Sequence, residues 1–225
     1  MFKLTDNCTL AQLLFFDKMK KLFLLFTLVP FLSFAQKTEL KEGDLIFQNL
    51  NCGPLCDAIN EVTFGYNDNN FNHIGMVINH EGKLQVIEAT HPEVCITPLD
   101  EFLDKSPNPS HLGRINKKYR KLIEKAKEFS LQQVGVPYDE NYLLDNGKYY
   151  CSELLYDAFK YANNGKSFFY LFAMTYKSKH TEEFFPVWVE YFENLNQPIP
   201  EGLPGLNPAG MSYFQHLTML GAIER

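Results

Sequence analysis

The sequence predicts an α+β domain in which an antiparallel sheet is packed against helices. Two patterns carry that expectation. Residues 73–79 (His73-Ile74-Gly75-Met76-Val77-Ile78-Asn79) and 83–89 (Lys83-Leu84-Gln85-Val86-Ile87-Glu88-Ala89) are short apolar segments joined by His80-Glu81-Gly82, the signature of a hairpin. Further along, Leu154, Leu155, Ala158, Phe159 and Ala162 fall three, four, seven, eight and eleven residues after Cys151, the stripe of a helix laid on a core. Neither internal repeats nor a linker divides the rest, so residues 36–225 read as a single domain.

Taken in order, the chain opens on an unusual leader. Lys18, Lys20 and Lys21 flank Met19, residues 22–34 are apolar apart from Thr27 and Ser33, and Ser33-Phe34-Ala35 offers small residues at the −3 and −1 positions of a cleavage site. Residues 19–35 therefore read as a secretory signal peptide, with residues 1–18 an extension upstream of the true start. The apolar stretch is short for a membrane span, so no stable transmembrane anchor is expected. The expected destination is the periplasm or the medium. Export leaves four cysteines, Cys52, Cys56, Cys95 and Cys151, in a compartment that permits disulfides. The Cys52-x3-Cys56 spacing suits either a local bridge or one helical turn.

Past the leader, Asp44-Leu45-Ile46-Phe47 predicts a strand and residues 49–63 a short helix or structured loop. Gly65 to Asn72, with five Asn or Asp residues, is turn-rich. After the hairpin come short strands at 94–98 and 111–116. A helix marked by Tyr119, Leu122, Ile123, Ala126 and Phe129 follows and ends near Gly135. Turns at 135–139 and 145–147 lead into the Cys151 helix. Beyond Gly165 the pattern is irregular: an aromatic run at 168–172, a segment around Trp188, and a Pro/Gly-rich stretch at 198–208 read as extended loop.

The net charge of −6 and pI near 5.5 argue against a nucleic-acid partner, which needs a basic face. The cluster Lys117, Lys118, Arg120, Lys121, Lys125, Lys127 is interleaved with Glu124 and Glu128 and reads as a solvated helix face.

Cys151 is the candidate nucleophile. In the first turn of a helix a thiol meets free backbone N–H groups and the positive end of the helix dipole, both favouring thiolate; the plainer reading is a small hydrophobe filling the core. Thiol catalysis also needs a base and a group to orient it. If the hairpin loop is even-numbered, as with Glu81-Gly82 and His80 opposite Lys83, then His73, Gly75, Val77 and Asn79 share a face with Leu84, Val86 and Glu88. His73 and Glu88 then lie as near neighbours at the end away from the turn, where a carboxylate continuing a buried face needs a partner.

Five segments occur in an order that resembles a known family: Gly43-Asp44-Leu45-Ile46-Phe47, Asn72-His73-Ile74-Gly75-Met76-Val77, Val86-Ile87-Glu88-Ala89, Gly135-Val136-Pro137-Tyr138-Asp139 and Tyr150-Cys151-Ser152-Glu153-Leu154. Together they are similar to the permuted papain-like amidases, the YiiX/YaeF-like branch related to NlpC-type cell-wall peptidases. The resemblance covers about residues 40–160 and, more weakly, the tail to Pro208. It implies a circularly permuted papain-like fold in which the histidine strand precedes the cysteine helix. It also implies Cys151 as nucleophile, His73 as general base and acid, Glu88 as its orienting carboxylate, and Tyr138 as a residue shaping the oxyanion or substrate site.

The expected substrate is an amide in a cell-wall (peptidoglycan) stem peptide, which export favours; the alternative is hydrolysis or transfer of an acyl lipid on the same fold, for which the run 168–172, otherwise read as an aromatic core segment, could line an acyl pocket. No cofactor is implied. Three competing readings remain: Cys52 or Cys56 as nucleophile, suggested by a superficial likeness to the papain cysteine motif; a zinc site using Cys52, Cys56, Cys95 and a histidine, for which neither a C-x2-C pair nor H-E-x-x-H is present; and a cleft that binds peptide or lipid without turnover.

Overall fold

A computed structural model describes residues 38–224; the proposed extension and signal peptide lie outside the described residues. Six strands form one antiparallel sheet in the order β4-β3-β2-β1-β5-β8: β1 (Asp44–Gln48), β2 (His73–His80), β3 (Lys83–Ala89), β4 (Val94–Pro98), β5 (His111–Ile115) and β8 (Leu217–Ala222). The helices are α1 (Pro54–Val62), α2 (Leu99–Asp104), α3 (Ile123–Gln132), α4 (Cys151–Ala162), α5 (Pro186–Asn194) and α6 (Pro208–Met211), and β6 (Phe172–Ala173) pairs with β7 (Pro204–Gly205) as a separate small sheet.

Strand alternation splits the core in two. Leu45 and Phe47 of β1, with Ile74, Met76 and Ile78 of β2, face the large cluster that receives Leu154, Leu155, Ala158 and Phe159 of α4. The intervening Ile46, Val77 and Val86 face the other way, against Phe102 and Leu103 of α2. The central strands are therefore buried on both sides, which explains their continuous apolar sequence.

The hairpin closes as an even loop. His80 pairs with Lys83 and Val77 with Val86, leaving Glu81 and Gly82 as a two-residue turn with φ of 52° and 77°. Two successive positive φ values are what such a turn demands, and Glu-Gly supplies only one residue suited to it. Continued one step past Met76↔Ile87, the same register sets Glu88 opposite Gly75. A Cβ at Gly75 would stand 2.4 Å from Val86 Cγ1 and 3.0 Å from Phe102 Cε2, so glycine there is what lets the Phe102 ring lie close to the sheet.

Two expectations need correction beyond Gly165. Residues 186–194 form a helix, opened by Pro186 at its first turn and buried through Trp188 and Phe192. Proline at that position has no N–H to lose and its φ already suits a helix; the aromatic density hid this short stripe. Residues 217–222 form the strand that completes the sheet beside β5. Its alternation is legible, with Leu217 buried and Thr218 exposed, but Thr218 is its single β-branched residue, and such residues are what usually mark a strand.

Candidate active site

Cys151 is the first residue of α4, 6% exposed. The sequence around it builds that helix start. Tyr150 is the extended cap residue, and its N–H donates to Glu153 Oε2 at 3.4 Å, the return half of a capping box. Burial first, then the nearby charge of Asp139, push the Glu153 carboxyl up to about 9, so it caps the helix as a neutral acid at neutral pH. Ser152 Oγ–H donates to Leu206 O at 2.9 Å and ties the same turn to the C-terminal segment. The buried Asp139 accepts from the N–H groups of Asn141 and Leu143, at 3.0 and 2.7 Å, and fixes the turn that carries Tyr138.

His73, at the start of β2, is 5% exposed and lies near enough to Cys151 for the two side chains to interact. Its Nε2–H donates to Glu88 Oε2 at 2.6 Å. A carboxylate can only accept, so the proton sits on Nε2, and Nδ1 is the ring nitrogen left for the thiol. The Phe102 ring packs over the imidazole at 5.7 Å. Burial works against the imidazolium, but the bonds to Cys151 and Glu88 outweigh it and hold His73 at about 9.

Glu88 is 1% exposed and carries more partners than the sequence suggested. Besides His73, its Oε1 accepts from Thr97 Oγ1 at 2.5 Å and from Lys105 Nζ at 2.5 Å. Burial pushes its carboxyl up, yet His73, Lys105 and Thr97 together bring it down to about 2. A buried carboxylate with three donors is a satisfied one. Sequence reasoning missed Thr97 and Lys105. The signal for Thr97 was register: Val86 pairs with Thr97 and Glu88 with Cys95, so Thr97 shares the face of Glu88. Lys105 follows a helix too short to read from its pattern.

Tyr138 stands near the thiol. Burial, and then the neighbouring Cys151 charge, keep its phenol protonated well above its ordinary value, so the hydroxyl remains a donor throughout the working range. Tyr138 lines both halves of the cleft. One half is a cavity of about 180 Å³ that includes Cys151, walled by Tyr142, Phe172, Met174, Tyr176 and Trp188. The other, of about 290 Å³, includes His73, Thr90 and Glu140. Of the aromatic run, Phe172 reaches the cavity, while Phe168 and Phe169 belong to the main core.

Cys52 and Cys56 are joined in a disulfide, and Cys95 and Cys151 are free. Bridged sulfurs are neither nucleophiles nor thiolate ligands, which removes the papain-motif reading and the cysteine zinc site together. Among the described residues no three His, Cys, Asp or Glu side chains converge as a metal would require, and no helix is long and apolar enough to cross a membrane.

A crystal structure of the metalloprotein YiiX from Escherichia coli O157:H7 is similar in fold, with a TM-score of 0.66, 20% identity, and coverage of 82% of this chain and 98% of that one. No curated protein matches the sequence. Residues 39–221 match the family described as the permuted papain-like amidase enzyme, YaeF/YiiX, C92 family. The match spans most of the chain, which is a member of the permuted papain-like amidase family.

Proposed function

We propose that the chain is an exported cysteine amidase whose Cys151–His73–Glu88 triad cleaves an amide through an acyl-enzyme. The observation that carries this reading is the 2.6 Å hydrogen bond that orients His73 on Glu88, with the Cys151 side chain close enough to the imidazole to raise its pKa and lining an apolar cavity. The Cys151 thiolate attacks the carbonyl carbon. Negative charge gathers on the carbonyl oxygen, where two donors are at hand: the Cys151 N–H, which has no partner within its helix at this first position, and the Tyr138 hydroxyl. The C–N bond then breaks as His73 gives its proton to the leaving nitrogen. Water, deprotonated by His73, releases the acid and regenerates the thiolate.

The cavity favours an apolar acyl group. None of the described residues lining it carries a charged Lys, Arg, Asp or Glu side chain, and several of its polar groups are engaged within the fold, whereas the buried Tyr176 hydroxyl has no partner. Thr63 Oγ1 donates to Ile59 O at 2.9 Å, Asn207 Oδ1 accepts from Gly210 N at 2.8 Å, and Asn72 is held by the 49–50 backbone and side chains. A charged wall-peptide residue placed there would lose hydration with no opposite charge in return. Export remains the support for the cell-wall reading. YiiX is described as a metalloprotein; that description belongs to the relative, and every step above uses this chain's own groups.

Octanoyl-p-nitroanilide and an amidated wall tripeptide separate the two substrates. The expected outcome is at least about tenfold higher kcat/KM for the acyl anilide, and the reverse order returns the assignment to the cell wall. The intact mass of the native protein checks export: a chain beginning near Gln36 is expected, and one beginning at Met1 refutes processing.

A further inference from the structure

Glu88 divides its two oxygens unequally. Oε2 serves His73 alone, at 2.6 Å. Oε1 takes both Thr97 Oγ1 and Lys105 Nζ at 2.5 Å, from a lysine whose side chain is 31% exposed. Lys105 follows α2, and its ammonium lies 5.6 Å from the centroid of the Phe102 ring that packs on His73. One short helix thus supplies both the wall of the imidazole and a counter-charge for the carboxylate behind it. The groups facing the His73–Glu88 pair are Cys151 from α4, Thr97 and Cys95 from β4, and Lys105. The Cys95 thiol lies 3.6 Å from Thr97 Oγ1, whose own proton goes to Glu88. Lys105 is the permanent cation in this set.

We propose that Lys105 is a positioning residue of the acid–base apparatus: by taking part of the charge of Glu88, it leaves His73 able to hand its proton to the departing amine. This rests on the triad reading. The underlying conflict is simple. A carboxylate whose whole charge faced the imidazolium would hold that proton tightly, which orients His73 well but makes it a poor acid. A carboxylate shared with an ammonium still orients the ring through Oε2 while gripping the proton less. The step affected is the collapse of the tetrahedral intermediate: the C–N bond breaks, its electron pair goes to nitrogen, and the Nδ1 proton of His73 follows it. An ester that loses p-nitrophenolate needs no such proton.

Two substrates with one acyl group therefore test the idea in the full-length processed enzyme: octanoyl-p-nitroanilide and p-nitrophenyl octanoate. Lys105→Met, which keeps the stem and removes the charge, is expected to lower kcat/KM about tenfold for the anilide and less than about twofold for the ester. It is also expected to move the alkaline limb of the pH–rate profile of Cys151 alkylation by iodoacetamide upward. Lys105→Arg should restore both. Equal losses on the two substrates with an unmoved pH profile would mean that Lys105 only supports the fold; no loss on either would mean that its charge is idle. Cys151→Ala and His73→Ala in the same assays keep the failures apart. If they retain turnover, the triad itself is wrong, whatever Lys105 does.

Discussion

Cys151→Ala loses turnover, with kcat/KM down by about four orders of magnitude or more, while the protein still folds. Members of a nucleophile–base unit act together, so removing the atom that forms the acyl-enzyme leaves only binding and the oxyanion donors. The fold has little reason to object. Cys151 belongs to the main core cluster but lines a cavity, so one small sulfur is lost while Leu154, Leu155, Ala158 and Phe159 keep α4 packed. The melting temperature is expected to stay within about 4 °C of wild type, the equivalent of roughly 1 kcal/mol for a domain of this size. Retained activity in this variant would end the assignment of Cys151 as nucleophile.

The second large effect is on stability, and it centres on Glu88. Glu88→Gln strips the His73 imidazolium and Lys105 of a shared carboxylate, and breaking a buried ion pair from one side costs about 3–5 kcal/mol; the partial exposure of Lys105 places this site at the lower end. The pH dependence gives the sharper signature. His73 rises from 6.5 to about 9 on folding, so its contribution is fully present below 6.5 and is lost as pH rises through about 9. Glu88 falls from 4.5 to about 2, so its contribution is present above 4.5 and is lost as pH falls through about 2. The two shifts share the His73–Glu88 pair, counted once, while Cys151 also raises His73 and Lys105 and Thr97 also lower Glu88, and the paired charge is complete between pH 4.5 and 6.5. Urea titrations from pH 2 to 10 should show wild type exceeding Glu88→Gln most in that window, with the difference shrinking on both sides. A difference that does not vary with pH would mean that the carboxylate acts only by filling space.

Much of the site was legible because its parts lie on regular elements. The 3.6-residue stripe after Cys151 placed the thiol in the first turn of a helix, and the parity of the hairpin placed His73 and Glu88 on one face once the loop was even. Both follow from the backbone period, which sequence states directly. What was not legible depended on contacts between distant segments. Lys105 reaches Glu88 from the end of a six-residue helix, too short to establish a period. The cavity wall comes from residues 172–176, Trp188 and 206–208, where aromatic residues serve the core and the cleft with the same letters. The Cys52–Cys56 bridge could not be told from a helical turn by spacing, because Gly53, with φ of 66°, starts the helix between the two cysteines.

The order of the site along the chain has a consequence for biosynthesis. His73, Glu88, Thr97 and Lys105 lie within residues 73–105, on neighbouring strands and the short helix that follows them, whereas the thiol lies at residue 151. A chain emerging from its N-terminus can therefore gather the whole proton-handling half of the machinery through contacts close in sequence. It lacks the proposed nucleophile until α4 has emerged and docked on the sheet. The order thus makes the proposed nucleophile the last of the three triad residues to arrive, ahead only of the cavity wall from 172–176, Trp188 and 206–208.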